Sequence, residues 1–285
     1  MRLSVFAAML TPLLTMFGET PAWAWGDTGH EIVCEIAFQG LSEHARREVI
    51  RLIRKDPQFH TFRQACVWPD HPRQRAEEHF VNVPRDFVKF TTDSCPVGDK
   101  CVLTAIRADF KWLKTSSDDD EKLAALKFLG HWVGDANQPL HVSFQDDRGG
   151  NEIRVNGVCA HSLHSVWDSC IIERAFGTDA EAAGQQMFRE ITDEQRRKWQ
   201  SLQPFEWANQ SLDIARSPST KYCVQVGNEC RYDVDRTTFQ QGGEEKTVSI
   251  DQQYIDLQGP IVKQRLQQAG VRLAQRLNQV FDEGP

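Results

Sequence analysis

The sequence places histidine and aspartate at spacings that suit a metal site. Two His-x3-Asp pairs, His131/Asp135 and His164/Asp168, lie in segments whose apolar residues recur with a helical period. Four residues are close to one helical turn, so the two side chains of each pair project from one helix face. Imidazole nitrogen together with carboxylate oxygen suits zinc. The alternative is that these groups only form hydrogen bonds inside a core.

Further histidines and aspartates extend this pattern. The segment Asn137-Gln138-Pro139 ends the helix of the first pair and brings a third histidine just past the turn. The candidate ligands are then His30, Asp70, His79, His131, Asp135, His141, His164 and Asp168. Each zinc needs about three or four protein ligands, with positions left open for water. With shared carboxylates, this set is nearly enough for three zinc ions.

Helical periodicity predicts a mainly α fold for the elements that position these residues. Predicted helices begin at Asp27 or Thr28, run from Ser42 to about Lys55, from about 104 to 113 and from 260 to 281, and carry both His-x3-Asp pairs. A small β-hairpin is expected at 153–158, around Asn156-Gly157. Neither an internal repeat nor a linker indicates a second domain. We therefore expect one multi-helix bundle with a small β-hairpin.

The amino terminus has the pattern of a cleaved secretory signal peptide. A basic start precedes an apolar run from Leu3 to Phe17, and an Ala-x-Ala site ends at Ala24. Cleavage there predicts a mature domain of 285 − 24 = 261 residues, 25–285, that begins at Trp25. The apolar run is shorter than the length that a transmembrane helix normally needs. We expect a secreted or periplasmic protein without a membrane anchor.

The cysteine content agrees with export. All eight cysteines lie after residue 24, and an even number in an exported chain predicts disulfides. Sequence proximity favours Cys95/Cys101 and Cys223/Cys230, and leaves four cysteines unassigned: Cys34, Cys66, Cys159 and Cys170.

The formal charge of −7 argues against holding nucleic acid by bulk positive charge. It still permits an enzyme whose bound cations supply a local positive field.

Several motifs resemble one enzyme family along the chain from Trp25 to about Asp168. They are Trp25-Gly26-x-x-Gly29-His30, Trp68-Pro69-Asp70, His79-Phe80, Gly130-His131-x3-Asp135, Gln138-Pro139-Leu140-His141, Gly149-Gly150-Asn151 and His164-x2-Trp167-Asp168. Together they resemble the zinc-dependent type I single-strand nucleases (the S-one/P-one family). The resemblance implies a fold shared with zinc-dependent phospholipases C. It also implies hydrolysis of single-stranded DNA and RNA to 5′-phosphorylated products, and removal of 3′-phosphates from nucleotides.

The resemblance further implies a trinuclear zinc site. A first group of ligands would be Asp70, His79, His131 and Asp135, and a second group His141, His164 and Asp168. A third group would comprise the free α-amino and carbonyl groups of Trp25 with His30 and Asp135, so Asp135 would bridge two metals. Signal cleavage would then create a metal ligand. His71, which adjoins Asp70, is the competing assignment for His79.

The resemblance also implies roles in catalysis and substrate binding. Asp70 would orient the attacking water, Arg73 would contact phosphate, and Asp135 would complete the catalytic set. Phe80 would offer a stacking face and Asn82 an edge contact to an unpaired base, with Asn151 near the substrate phosphate. Fungal relatives carry Asp where Asn82 stands, so base preference here can differ. We expect a monomer acting on single-stranded DNA, RNA and 3′-nucleotides.

Two other functions fit part of this pattern. A phospholipase C would use the same zinc scaffold on a lipid phosphodiester, but a glutamate is usual where Asp168 stands. The segments Phe80-Val81-Asn82 and Asp70-x2-Arg73 favour the nuclease. A non-catalytic zinc-binding protein would bind metal without phosphodiesterase activity.

Overall fold

A computed structural model describes residues 25–222, 224–226, 229–231 and 247–282 of the chain. The predicted signal peptide and Cys223 of the predicted Cys223/Cys230 pair lie outside these residues. The described chain is mainly helical, as predicted. Its longer helices are α1 Asp27–Gln39, α2 Glu43–Ile53, α4 Val102–Thr115, α5 Asp119–Asn137, α8 Ala180–Arg189, α9 Asp193–Gln200, α10 Pro204–Ala215 and α11 Gln252–Asp282.

Short helical pieces connect these helices and carry several of the candidate ligands. They are α3 Phe62–Ala65, a 3₁₀ turn Ala76–His79, a 3₁₀ turn Pro139–His141, α6 Leu163–Ser165, a π-helical turn Val166–Cys170, α7 Ile171–Phe176 and a 3₁₀ turn Pro218–Thr220. The helix predicted around His164 therefore contains a π-helical turn, a feature found often at functional sites.

Helix α5 forms the centre of the fold. It begins at the N-cap Asp118, whose carboxylate accepts hydrogen bonds from the backbone N–H groups of Asp120 and Glu121. Every residue from Leu129 to Asn137 is buried, because α4, α10, α1 and α11 pack around this half of the helix. A helix buried on all sides keeps polar groups only where they have partners or a function.

The carboxyl-terminal helix begins earlier than predicted. Pro260, expected at its start, lies inside α11, which begins at Gln252. The carboxylate of Asp251 accepts a hydrogen bond of 2.8 Å from the Tyr254 backbone N–H, and the side chains of Tyr254 and Ile255 are buried. Packing of this first turn outweighs the cost of an exposed proline, which removes one helical hydrogen bond.

The hairpin predicted at 153–158 is wrong. Strand β1, Arg154–Gly157, pairs in parallel with β4, Thr247–Ile250, which lies far along the sequence. Gly157, with φ 106°, approaches its partner so closely that a Cβ would lie 2.1 Å from the Ile250 carbonyl oxygen. The antiparallel hairpin of the fold is instead formed by β2, Val224–Val226, and β3, Glu229–Arg231.

Three disulfides join described residues. The predicted Cys95–Cys101 bond is confirmed, and the four cysteines left open form Cys34–Cys66 and Cys159–Cys170. Within the described parts of the chain, we find no helix that combines the length and the apolar character needed to cross a bilayer.

Candidate metal centre

The carboxyl-terminal half of α5 holds the middle of a cluster of histidines and aspartates. His131 Nε2 lies 3.4 Å from Asp135 Oδ2, as expected for residues one turn apart. His79 Nδ1 lies 3.1 Å from His131 Nε2 and 3.4 Å from Asp135 Oδ2. Asp70 Oδ1 lies 3.5 Å from His79 Nδ1. The four side chains of the predicted first group therefore converge.

The second group converges beside the first. His164 Nε2 lies 3.1 Å from His141 Nε2 and 3.3 Å from Asp168 Oδ2. The π-helical turn carries Asp168, and the 3₁₀ turn after α5 carries His141. Ligand atoms of all three residues lie within 4.8 Å of one another.

Asp135 also faces the remaining candidate ligand. Its Oδ1 lies 3.4 Å from His30 Nε2 on α1, whereas its Oδ2 faces His79 and His131. The buried indole of Trp25 donates a hydrogen bond of 2.8 Å to the Gly134 carbonyl, which brings the predicted amino terminus to the same turn of α5. The absence of a side chain at Gly134 leaves room for the His30 ring, because a Cβ there would lie 2.8 Å from His30 Nδ1.

An extended segment, residues 80–83, follows His79 and carries two predicted substrate residues, Phe80 and Asn82. Its backbone runs beside the chain that follows His141, with hydrogen bonds of 2.8 Å from Val81 N to the His141 carbonyl and from Val83 N to the Ser143 carbonyl. Side chains alternate along such a segment. Val81 and Val83 are buried, whereas Phe80 and Asn82 are partly exposed; Phe80, Val81 and Asn82 all line a cavity.

Backbone carbonyls orient four of the five histidine rings. In each ring, one nitrogen contacts a carbonyl oxygen and the other faces the cluster. These contacts are His131 Nδ1 to Cys66 O at 2.8 Å, His79 Nε2 to Gln74 O at 2.8 Å, His141 Nδ1 to His79 O at 2.6 Å and His164 Nδ1 to Gly149 O at 2.6 Å. This arrangement sets the tautomer of a metal-ligating histidine. The fifth ring, His30, stacks on His131 with 3.7 Å between centroids.

Burial perturbs the ionisation of the cluster. It raises the pKa of Asp70 and of Asp168 to about 7, against the opposing influence of Arg73, and raises the pKa of Asp135 well above its ordinary value. Burial also lowers the pKa of His79 to about 3 and that of His131 well below 6.5. A lowered pKa favours the neutral imidazole in both His79 and His131, and a neutral imidazole is the form that ligates a metal.

Several polar atoms in this cluster lack protein partners. Both carboxylate oxygens of Asp135, both ring nitrogens of His30 and one oxygen of Asp70 are buried without a hydrogen bond. Unpaired polar atoms in a core are costly. Metal ions would bind them. Three sets of His and Asp have ligand atoms within 4.8 Å of one another: His30, Asp70 and His131; His79, His131 and Asp135; and His141, His164 and Asp168, so that the first two sets share His131. The described residues therefore fit a trinuclear metal site.

A cavity of about 650 Å³ opens onto the second group. Its lining includes His141 and His164, together with all four residues assigned to phosphate or base contact: Arg73, Phe80, Asn82 and Asn151. Lys100 and Arg148 also line it, and no motif in the sequence indicated them. Gln138 was part of a sequence motif, but its contact was not predicted: its amide donates a hydrogen bond of 2.5 Å to Asp168 Oδ1.

His71 lies apart from the cluster. Its partly exposed ring hydrogen-bonds the Asp27 carboxylate at 2.8 Å, whereas His79 is fully buried among the candidate ligands. The geometry thus favours His79 over His71 as the partner of Asp70.

Comparison with known proteins agrees with this geometry. The family model described as S1/P1 Nuclease matches residues 25–282. The chain belongs to the S1/P1 nuclease family. Among its S1/P1 relatives, "Endonuclease 3" from Arabidopsis thaliana is 30% identical over 276 residues, covering 91% of this chain and 90% of the relative. "Nuclease S1" from Aspergillus oryzae (strain ATCC 42149 / RIB 40) is 26% identical over 275 residues, covering 92% and 93%.

A third S1/P1 relative matches over a shorter region. "Nuclease P1" from Penicillium citrinum is 29% identical over 184 residues, which cover 59% of this chain and 67% of the relative. Membership of the S1/P1 family identifies the chain as a nuclease, with nucleic acid as its class of substrate. It agrees with the mainly helical fold observed here.

Proposed function

We propose that the mature chain is a secreted or periplasmic zinc-dependent endonuclease that hydrolyses single-stranded DNA and RNA to 5′-phosphorylated products and removes 3′-phosphates from nucleotides. Residues 1–24 would be the cleaved signal peptide, and 25–285 the monomeric nuclease domain. One observation carries the proposal: the cavity lined by Arg73, Phe80 and Asn82 opens directly onto His141 and His164 of the metal centre.

Zinc is the metal that this ligand set favours. The first group, Asp70, His79, His131 and Asp135, would hold one ion; the second group, His141, His164 and Asp168, would hold another. The third group, Trp25 with His30 and Asp135, would hold the remaining one. Nitrogen-rich sites with a few carboxylates suit zinc better than magnesium or calcium. When bound, zinc supplies Lewis acidity, which lowers the pKa of a water ligand to roughly 7 and offsets charge on phosphoryl oxygens.

The side chains around the metals position the water and the phosphate. Asp70 belongs to the first group and has one buried oxygen that makes no hydrogen bond, and this oxygen can accept a hydrogen bond from the attacking water. The positive charge of Arg73 interacts with the Asp70 carboxylate, and Arg73 lines the cavity. Its guanidinium can make paired hydrogen bonds to phosphate oxygens and so align the phosphorus for in-line attack.

The same cavity wall supports recognition of unpaired bases. Phe80 is partly exposed and lines the cavity, so its ring can stack on a base. The Asn82 amide oxygen is buried without a hydrogen-bond partner and can accept a hydrogen bond from a base edge. Asn151 lines the cavity and donates one amide hydrogen to the Arg148 carbonyl, which leaves another for a substrate phosphate. A base paired within a duplex cannot offer both face and edge.

A substrate comparison on the purified mature chain tests the proposal. We expect chain cleavage of single-stranded DNA and RNA with 5′-phosphate ends, release of phosphate from 3′-mononucleotides, and much slower cleavage of duplex DNA. Phosphatidylcholine vesicles serve as the competing substrate. Turnover of lipid alone would identify a phospholipase C, and stoichiometric zinc without any phosphodiesterase activity would identify a binding protein.

A further inference from the structure

A buried ionic cluster lies under the Gly-rich loop 145–151, outside the three ligand groups. Its centre is Arg85, a side chain only 7% exposed. The Arg85 guanidinium donates hydrogen bonds to Asp146 at 2.8 Å and to Asp147 at 2.7 Å. It also lies over the Phe144 ring, 4.4 Å from the centroid. Both carboxylates belong to the loop. Arg85, which follows the segment that carries Phe80 and Asn82, therefore anchors the loop through these two hydrogen bonds.

Two further contacts tie Asp147 to the loop and to a distant segment. The Tyr222 hydroxyl donates to Asp147 Oδ1, and burial keeps this hydroxyl protonated by raising the pKa of Tyr222 well above its ordinary value. The Gly150 backbone N–H donates to the same carboxylate oxygen at 2.9 Å. Asp147 thus connects Arg85, Tyr222 and the loop backbone, as a satisfied buried charge requires.

The backbone of the loop contacts His164, a candidate metal ligand. Gly149, at φ 70°, turns its carbonyl toward His164 Nδ1 at 2.6 Å, and the His164 backbone N–H donates to the Gly150 carbonyl at 3.3 Å. Space at this position is tight, because a Cβ on Gly149 would lie 2.7 Å from the Leu140 carbonyl and 3.3 Å from His164 Nδ1. The imidazole orientation therefore depends on where the loop backbone lies.

We propose that Arg85, Asp147 and Tyr222 form a positioning network that holds the loop carbonyl of Gly149 against His164 and thereby sets the affinity of the second metal group. This role rests on the metal centre of the proposed function, and the three residues are not themselves among the candidate ligands. The same loop carries Arg148 and Asn151 on the cavity wall. The network therefore couples the geometry of one metal to the shape of the substrate cavity.

Zinc content under chelator competition measures this role without using activity. Purified mature chain is loaded with Zn²⁺ and dialysed against graded chelator, and the remaining zinc per chain is then determined. We expect Arg85→Met, Asp147→Asn and Tyr222→Phe to release one of three zinc equivalents at lower chelator concentration. The expected weakening is at most roughly 10- to 100-fold, the usual cost of losing an outer partner of a metal ligand, because these residues act on His164 through the Gly149 carbonyl. Tyr222→Phe keeps the aromatic ring and its packing, so it tests the network even where the charge variants fold poorly.

A matched control separates positioning from general destabilisation. Lys127 is as buried as Arg85, at 7% exposed, and pairs with Asp56 at 2.7 Å without joining the network. Lys127→Met should lower the melting temperature and leave the three zinc affinities in their wild-type order.

Combination with His164→Ala identifies the metal that is affected. The His164→Ala variant has already lost the zinc of the second group, so adding Arg85→Met should cause no further zinc loss. Such non-additivity is expected when two substitutions act on the same metal. Three equally retained zinc ions in Arg85→Met and Tyr222→Phe would overturn the network while leaving the proposed function intact. A wild-type chain that binds no zinc would instead refute the metal centre on which both rest.

Discussion

The carbonyl oxygen of Cys66 contacts His131 Nδ1 at 2.8 Å, and Cys66 is disulfide-bonded to Cys34 of α1. The two sulfur atoms pack against α5 at Gly130, where a Cβ would lie 2.7 Å from one sulfur and 3.1 Å from the other. One covalent bond therefore joins α1, which carries His30, to the residue that orients His131.

Removal of this disulfide should cost both stability and metal. We expect Cys34→Ser with Cys66→Ser to lower the free energy of unfolding by roughly 3 to 4 kcal/mol, from the sequence separation of 32 residues in a chain-entropy estimate. Zinc at the first group should also dissociate more readily, because the Cys66 carbonyl is released. The Cys95/Cys101 pair closes a loop of sequence separation 6 and is the control: its removal should cost roughly 2 kcal/mol. Denaturant melts with parallel zinc analysis measure both, and equal zinc retention in the two double variants would contradict this link.

Asp135→Asn should remove more than one metal. The carboxylate stands between His30 on one side and His79 and His131 on the other, so an amide weakens the first and third groups together. The loss of affinity should exceed the roughly 10- to 100-fold typical of an outer partner, and activity on single-stranded DNA should fall with it. Asp120→Asn, an exposed change on the same helix, should leave zinc content unchanged. Loss of only one equivalent from Asp135→Asn would argue against a bridging role.

The free amino group of Trp25 should matter to metal binding. A chain with one additional residue ahead of Trp25 keeps every side chain of the centre but replaces the amine with an amide. We expect it to bind one zinc fewer, since an amide nitrogen is a poor ligand, and to lose activity accordingly. N-terminal sequencing and zinc analysis of the two forms provide the comparison. Full zinc occupancy in the extended form would refute the terminal-amine ligand.

Asn82→Asp should change base preference more than catalysis. The Asn82 amide can donate and accept, whereas a carboxylate only accepts. A hydrogen bond to a charged group contributes about 1.5–3 kcal/mol, so kcat/KM ratios among the four homopolymeric strands should shift by roughly tenfold or more. Zinc content should not change, because Asn82 lies outside the ligand groups. Identical ratios in the two proteins would exclude Asn82 from base contact.

Acid should selectively weaken the buried Asp56–Lys127 pair. Burial alone would raise the pKa of Asp56. The hydrogen bond from Lys127 and those from the backbone N–H groups of Gln58 and Phe59 lower the pKa instead. The unfolded chain then binds more protons than the native one as pH falls. The pair therefore stabilises the protein above the ordinary aspartate pKa and loses this effect as pH falls through the lowered value.

Asp56→Asn tests this pH dependence. At neutral pH the variant should be roughly 3 kcal/mol less stable, because Lys127 is left buried without its partner. The stability difference should shrink toward acid, where the wild-type carboxylate is protonated. Urea unfolding of both proteins, metal-free, from pH 7 to the acid range gives the difference directly. A constant difference across that range would show that the pair carries no charge-dependent stability.

Local features of the sequence predicted the helices and most of the candidate centre. The helical period placed α5, and the spacing of four placed His131 beside Asp135. These features depend only on neighbours along the chain, so they can be read without a fold.

The failures all involve partners distant in sequence. Strand β1 was expected to turn back on itself but pairs with β4, and Pro260 lies inside a helix whose first turn is held by packing. No local pattern specifies such partners, because their pairing depends on the whole core. The same reason kept Cys34 and Cys66 unassigned, because 32 residues separate them.

The sequence by itself determined which residues could bind metal, because histidine and aspartate supply the ligand atoms wherever they stand. Only the tertiary structure decided how these atoms are aimed. The carbonyls of Cys66, Gln74, His79 and Gly149 orient the rings, and Arg85 with Asp147 holds the loop that supplies one of them. Backbone carbonyls occur at every residue, so sequence alone cannot show which of them will face a histidine. That choice follows from how α1, α5 and the loops pack together in the folded chain.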